Sequence, residues 1–236
     1  MSAAIGPRLW SPKMKRQALA LVASMVMLSW PAMAGPPLLC FPYEIGSAKS
    51  LPWGKDAFKK SESYDASKVI DDAVALLKEE KSTLVRMETI RRAALYIERD
   101  SGRAHVLVTK LHGVAKELEE AGKASAAAWF DCGFAAATLS QNGCHVKGLP
   151  VSEKGPAGSV QIKKALGMTP NDAAMHFGAA LVLMDGERDA SNKHMKRALE
   201  LVEAGSDLAR SMETNHALGA LPLKELKKRY AVNDPA

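Results

Sequence analysis

Aromatic side chains are scarce in this sequence, 6% of 236 residues, which argues against a sandwich fold with a large aromatic core. Cysteine is scarcer: three cannot staple a small fold, and the length suits one or two ordinary domains. The apolar run at residues 18–30 is thirteen long, short of the roughly 20 that cross a bilayer core of about 30 Å, and no later stretch is long enough. Alternating runs rich in branched residues are missing, so strands are not expected. A Gly-rich phosphate loop, His-Glu-x-x-His, Gly-x-Ser-x-Gly, Cys-x-x-Cys and Cys-x-x-Cys-His are all absent, and with them the support for a cofactor enzyme. Even the basic excess is nominal. Arg8, Lys13, Lys15 and Arg16 are the only charges before residue 35, and taking these four from the 32 basic residues leaves 28 against 26 acidic, a balance of +2. No nucleic-acid partner is implied.

What is present begins with an export pattern. A basic cluster precedes the charge-free run, which ends at Pro31-Ala32-Met33-Ala34, the small-x-small pattern read by signal peptidase. Residues 1–34 are therefore expected to be a signal peptide cleaved after Ala34, with Met14 as an alternative start to Met1. The mature chain would be periplasmic or secreted, without stable membrane insertion. A lipoprotein site at Cys40 fails because Leu39 before it is not small.

Residues 35–66 carry prolines 36, 37, 42 and 52, which bar helix interior. They read as an extended arm whose Leu38, Leu39, Phe41, Tyr43, Ile45, Leu51 and Trp53 need a body to pack on. From residue 67 the apolar period becomes helical. Helices are predicted from Ser67 through Leu77, over about 84–97, 102–120, 124–141, 160–166, 172–185 and 188–203, then after Ser206 and near 223–230. Residues 143–158 form a long loop with four glycines and two prolines. Residues 67–236 thus predict a single all-α domain of stacked antiparallel helical hairpins.

A period runs through these helices. Lys164-Ala165-Leu166 returns as Arg197-Ala198-Leu199 after 33 residues, and Met175, Gly178, Ala179, Val182, Gly186, Ser191, Met195 and Ala198 fall in order along the second unit. In this the chain resembles tetratricopeptide repeats, most fully over residues 172–203. Gly178 stands where the pattern asks for an apolar residue, and Glu203 where it asks for proline. An earlier unit would place Trp129, Cys132, Gly133 and Ala136 on matching positions, with its hairpin interrupted by the 143–158 loop. The resemblance implies binding of a peptide or protein partner without catalysis, on a concave face lined by the first helix of each hairpin. Phe130, Asp131, Asn171, Met175 and His176 are the candidate contacts there.

The remaining chemistry is thin. Six histidines are scattered singly, and Asp71-Asp72, Glu79-Glu80 and Glu119-Glu120 are adjacent pairs whose side chains diverge on a helix. No metal site is assigned. Cys40, Cys132 and Cys144 are disulfide candidates in an oxidising compartment. A Cys132–Cys144 bridge requires an early helix stop, because a helix from 132 to 141 advances roughly 13 Å and three more residues return at most about 10 Å. The alternative function is a thiol- or metal-linked redox protein using Cys40, Cys144 and His145.

Overall fold

The computed structural model describes residues 35–56, 58–146 and 155–232. The expected signal peptide at 1–34 and positions 147–154 of the expected loop lie outside the described residues. All described residues belong to one compact unit within Ala34–Ala236. The fold among them is all-α: nine helices and no strands, with one isolated bridge between Trp53 and Lys60.

The helices are α1 (Val69–Glu79), α2 (Thr83–Ile97), α3 (Ser101–Glu120), α4 (Ala126–Gln141), α5 (Ser159–Met168), α6 (Ala173–Leu183), α7 (Arg188–Leu201), α8 (Asp207–Thr214) and α9 (Leu223–Arg229). Their starts follow local chemistry. Ser82, Asp100, Ser125, Asp172 and Ser206 each accept a hydrogen bond from a backbone N–H three residues on, capping α2, α3, α4, α6 and α8. A 3-10 turn, Ala66–Lys68, leads into α1, whose Val69, Ala73 and Leu77 point inward at four-residue steps.

Helix α4 is the hub and packs against α2, α3, α5 and α6, while α6 and α7 form the most extensive hairpin. Small residues permit the closest approaches. A Cβ on Gly133 of α4 would stand 2.6 Å from the Gly158 carbonyl oxygen, and Gly158 itself, at φ +79°, turns the chain into α5. Gly178, a departure from the repeat pattern, has a packing reason: a Cβ there would lie 2.7 Å from the Phe130 ring. Ala165 and Ala198 are fully buried in α5 and α7.

The arm docks along this body. Leu38, Leu39, Tyr43 and Leu51 are buried, and a charged centre on α2 receives the arm's backbone. Glu88, 1% exposed, accepts from Arg91 Nε (2.8 Å) and Nη2 (3.0 Å), from Arg92 Nε (2.7 Å) and from the Tyr43 N–H (3.0 Å). Arg91 Nη1 donates to the Leu39 carbonyl and Arg92 Nη1 to the Leu51 carbonyl, and both guanidinium groups lie within about 6 Å of the Trp53 ring. Further along, the Glu44 N–H donates to Ser211 Oγ on α8, and Phe41 stacks on His216. The arm is thus a strap joining α2 to the C-terminal helices.

Two outcomes test this packing. Ala198→Leu should overpack the α6–α7 seam and cost about 1–3 kcal/mol in urea unfolding; an unchanged midpoint would mean that the seam has room. Glu88→Ala leaves the buried Arg91 and the half-buried Arg92 uncompensated and should cost about 3–5 kcal/mol. It should also open Trp53 to a quencher that it resists in the wild type.

Candidate binding site

Asp131 is the one charged residue of α4, set among alanines, aromatics and Cys132. A buried carboxylate needs a counter-charge, and α2 provides it. Arg86 Nη1 donates to Asp131 Oδ2, and Nη2 donates to the Glu80 carbonyl just before α2. The two side chains are 8% and 4% exposed. Two polar atoms remain over: Arg86 Nε and Asp131 Oδ1 are buried without a hydrogen-bond partner. Burial pushes the Asp131 carboxyl up to about 7, with Arg86 pulling the other way.

Both side chains line a cavity of about 370 Å³ between α1, α2, α3 and α4, a size within the range of about 300–1,000 Å³ typical of ligand pockets. Its walls are aliphatic, from Val74 and Leu77 on α1 and Leu111, Val114 and Leu118 on α3. Lys78 and Glu117 are its exposed members, and neither has an ion-pair partner among the described residues. The chamber is thus apolar on its walls, with a buried ion pair among its lining residues.

The five residues expected to line a groove do not share one surface. Phe130 is fully buried, stacked on Phe134 at 5.4 Å and set against Gly178. Asp131 faces Arg86. Met175 is buried and accepts from Thr169 Oγ1 at 3.2 Å. His176, 7% exposed, pairs with His194. Asn171 alone is exposed, and it accepts from Arg197 Nη2 at 2.7 Å. The reason is the hub position of α4 and α6, buried from Ala128 to Leu139 and from Met175 to Leu183. The chain's own arm lies over them, with Tyr43 edge-on to Phe134 and Phe177 at 6.2 Å from each. Of the five, Asp131 belongs to the cavity. Its partner Arg86 escaped sequence reasoning, although a lone acid in an apolar helix signals that a buried base exists somewhere.

The histidine pair has a defined proton arrangement. His176 Nε2 lies 2.9 Å from the Pro170 carbonyl and must donate to it, so in the neutral ring Nδ1 accepts from His194 Nδ1 at 3.0 Å. Burial and then the neighbouring His176 hold His194 below the usual histidine value. The pair clasps α6 to α7.

The expected disulfide is not formed: Cys40, Cys132 and Cys144 are all free. Helix α4 continues to Gln141, so the early stop that a Cys132–Cys144 bridge requires does not occur. Cys144 Sγ instead donates to the Glu98 carbonyl at 3.3 Å, and the neighbouring His145 N–H donates to Ser101 Oγ. Burial raises all three thiols, Cys132 to about 12, which disfavours thiolate chemistry. Among the described residues no group of three His, Cys, Asp or Glu side chains is placed to hold a metal ion, so Cys40, Cys144 and His145 do not gather into a metal centre. No described helix is long and apolar enough to cross a membrane.

No family model, no curated protein and no solved structure matches the chain.

The Asp131 environment makes stability depend on pH. Its folded carboxyl titrates near 7 and its unfolded one near 3.8, so between those values the native state holds a proton that the unfolded state has released. The stabilisation is full below about 4 and declines as pH rises through 7. Relative to Asp131→Asn, the wild type should therefore lose urea midpoint steadily from pH 4 to 8; parallel profiles would show that Asp131 titrates normally.

Proposed function

We propose that this chain is an exported, non-catalytic binding protein, built on helical hairpins similar to tetratricopeptide repeats, that holds a peptide segment of a protein partner in the cavity between α1 and α4. The observation that carries the reading is the cavity itself, about 370 Å³ with aliphatic walls and the buried Arg86–Asp131 pair among its lining residues. Supporting the repeat part are the 33-residue step, the full burial of Ala165 and Ala198, and the glycine contacts of α4 with α5 and α6. Supporting export are the basic cluster, the thirteen-residue apolar run and Ala32-Met33-Ala34. The partner site differs from the usual concave face because the arm covers α4 and α6.

The test is site-specific photo-crosslinking in a bacterial host exporting the full chain. A benzoylphenylalanine at Lys78, exposed at the cavity rim, should give discrete adducts, and the same group at Phe58, 59% exposed outside the cavity, should not. Equal adduct patterns at the two positions would remove the cavity as the binding site. Export is checked on the same preparation, since the soluble protein should begin at Gly35.

A further inference from the structure

A second chamber, of about 730 Å³, opens between α7 and the end of α9, helices that pack on one another. Its charge is of one sign. Arg188, Lys193 and Lys196 of α7 and Arg229 of α9 line it, and among the described residues no acidic side chain does. All four cations are exposed, and none forms an ion pair among the described residues, not even Lys193 with Asp189 four positions before it. The mature chain balances to +2, so four unpaired positive charges in one chamber are a local concentration and not a share of a general excess. Helix chemistry accounts for one of the four. Arg229 ends α9, where the helix dipole favours a cation, whereas Arg188 begins α7, where the dipole opposes one, and Lys193 and Lys196 lie away from either end.

The donors are arranged as well as numerous. Arg188, Asn192 and Lys196 recur at four-residue steps and so share a face of α7, with roughly 12 Å of rise from the first to the last. Arg229 Nη1 donates to the Leu218 carbonyl at 2.9 Å. That bond holds the guanidinium at the wall and leaves its Nε–Nη2 edge, whose two N–H groups match two oxygens of a carboxylate or phosphate. Lysine and arginine carry no acceptor, so these groups answer only to an anion. Met184, Ala217 and the half-buried Tyr230 add an apolar flank. The volume falls within the range of about 300–1,000 Å³ typical of small-molecule pockets, which favours a compact ligand over a protein face.

We infer that the chamber between α7 and α9 binds a small multivalent oxyanion, a polyphosphate or a polycarboxylate, with its charges set against Arg188, Lys193, Lys196 and Arg229. Multivalency follows from the arrangement, because a monovalent anion would answer one cation and leave three in mutual repulsion. The site stands apart from the α1–α4 cavity, with no lining residue in common.

The experiment titrates the full chain near neutral pH, where all four cations are charged, in salt of about 0.15 M, which screens loose surface attraction. The probes are tripolyphosphate, butane-1,2,3,4-tetracarboxylate, acetate and the peptide N-acetyl-Asp-Glu-Asp-Glu-amide, followed by calorimetry and by the backbone amide resonances of Asn192 and Lys193. Tripolyphosphate or the tetracarboxylate should bind with one-to-one stoichiometry and at least about 10-fold more tightly than acetate; the tighter of the two assigns phosphate or carboxylate. Arg188→Gln combined with Lys196→Gln should weaken that binding at least about 10-fold and leave the unfolding midpoint in place, since both side chains are exposed. Lys123→Gln combined with Lys224→Gln removes the same charge from exposed positions outside the chamber and should leave the affinity unchanged. Equal losses in the two double variants would show attraction to net charge alone and overturn the site. Acetate binding as tightly as the multivalent probes overturns the multivalent assignment, and a peptide that binds more tightly than both small anions overturns the small molecule in favour of an acidic protein segment. Silence from tripolyphosphate and the tetracarboxylate alike overturns the inference and leaves the α1–α4 reading to its own test.

Discussion

The carboxylate of Glu88 is the point on which the architecture turns. It lies almost wholly buried on α2, yet accepts from Arg91, Arg92 and the Tyr43 backbone, so both of its oxygens are occupied. One acid against two bases leaves a positive remainder, which the Leu39 and Leu51 carbonyls and the Trp53 ring absorb. An arm without helix or sheet meets only some of its backbone groups through its own turns, such as Leu39 N–H and Cys40 N–H to the Pro36 carbonyl. Here the ion cluster supplies partners for others, and the arm in return completes the cluster's solvation. Neither would be stable alone: without the arm the arginines lose their carbonyls, and without the cluster those backbone groups of the arm are buried unsatisfied.

Two residues before Glu88 on the same helix, Arg86 makes a second buried pair, with Asp131 of α4. Around Glu88 the chain provides a partner for both carboxylate oxygens. Around Asp131 it provides a partner for Oδ2 and none for Oδ1, and Arg86 Nε is likewise left over. The first is therefore a structural joint and the second an unfinished one. The pair also borders a cavity whose walls are aliphatic.

Close packing at the hub explains why the face expected to be open is closed. Gly133, Gly158 and Gly178 let α5 and α6 approach α4 to distances that a Cβ would forbid. With helices that close, α4 and α6 have no free flank, and Tyr43 of the arm fills the remaining aromatic niche. The open space of about 370 Å³ lies instead on the other side of α4, bordered by α1, α2 and α3.

Much of this was written in local sequence. Helix periodicity, capping residues such as Ser82, Asp100, Ser125 and Asp172, the proline-barred arm and its apolar side chains all act over a few residues, and the observed helix ends fall within two or three positions of those read from the chain. The arm's need to dock followed from its composition. Asp131 is marked as a groove contact through the repeat resemblance, and not for being the lone acid of an apolar helix. Tertiary structure alone decided which base answered it. Arg91 and Arg92 stand three and four residues after Glu88 on one helix, a pairing that local spacing provides, whereas only the packing of α2 against α4 gives Arg86 to Asp131. It also decided that Phe130, Met175 and His176 are core, that three cysteines stay unpaired, and that a cavity remains, because voids, pairings and burial depend on distances between segments far apart in the chain, and local periodicity carries no information about those distances.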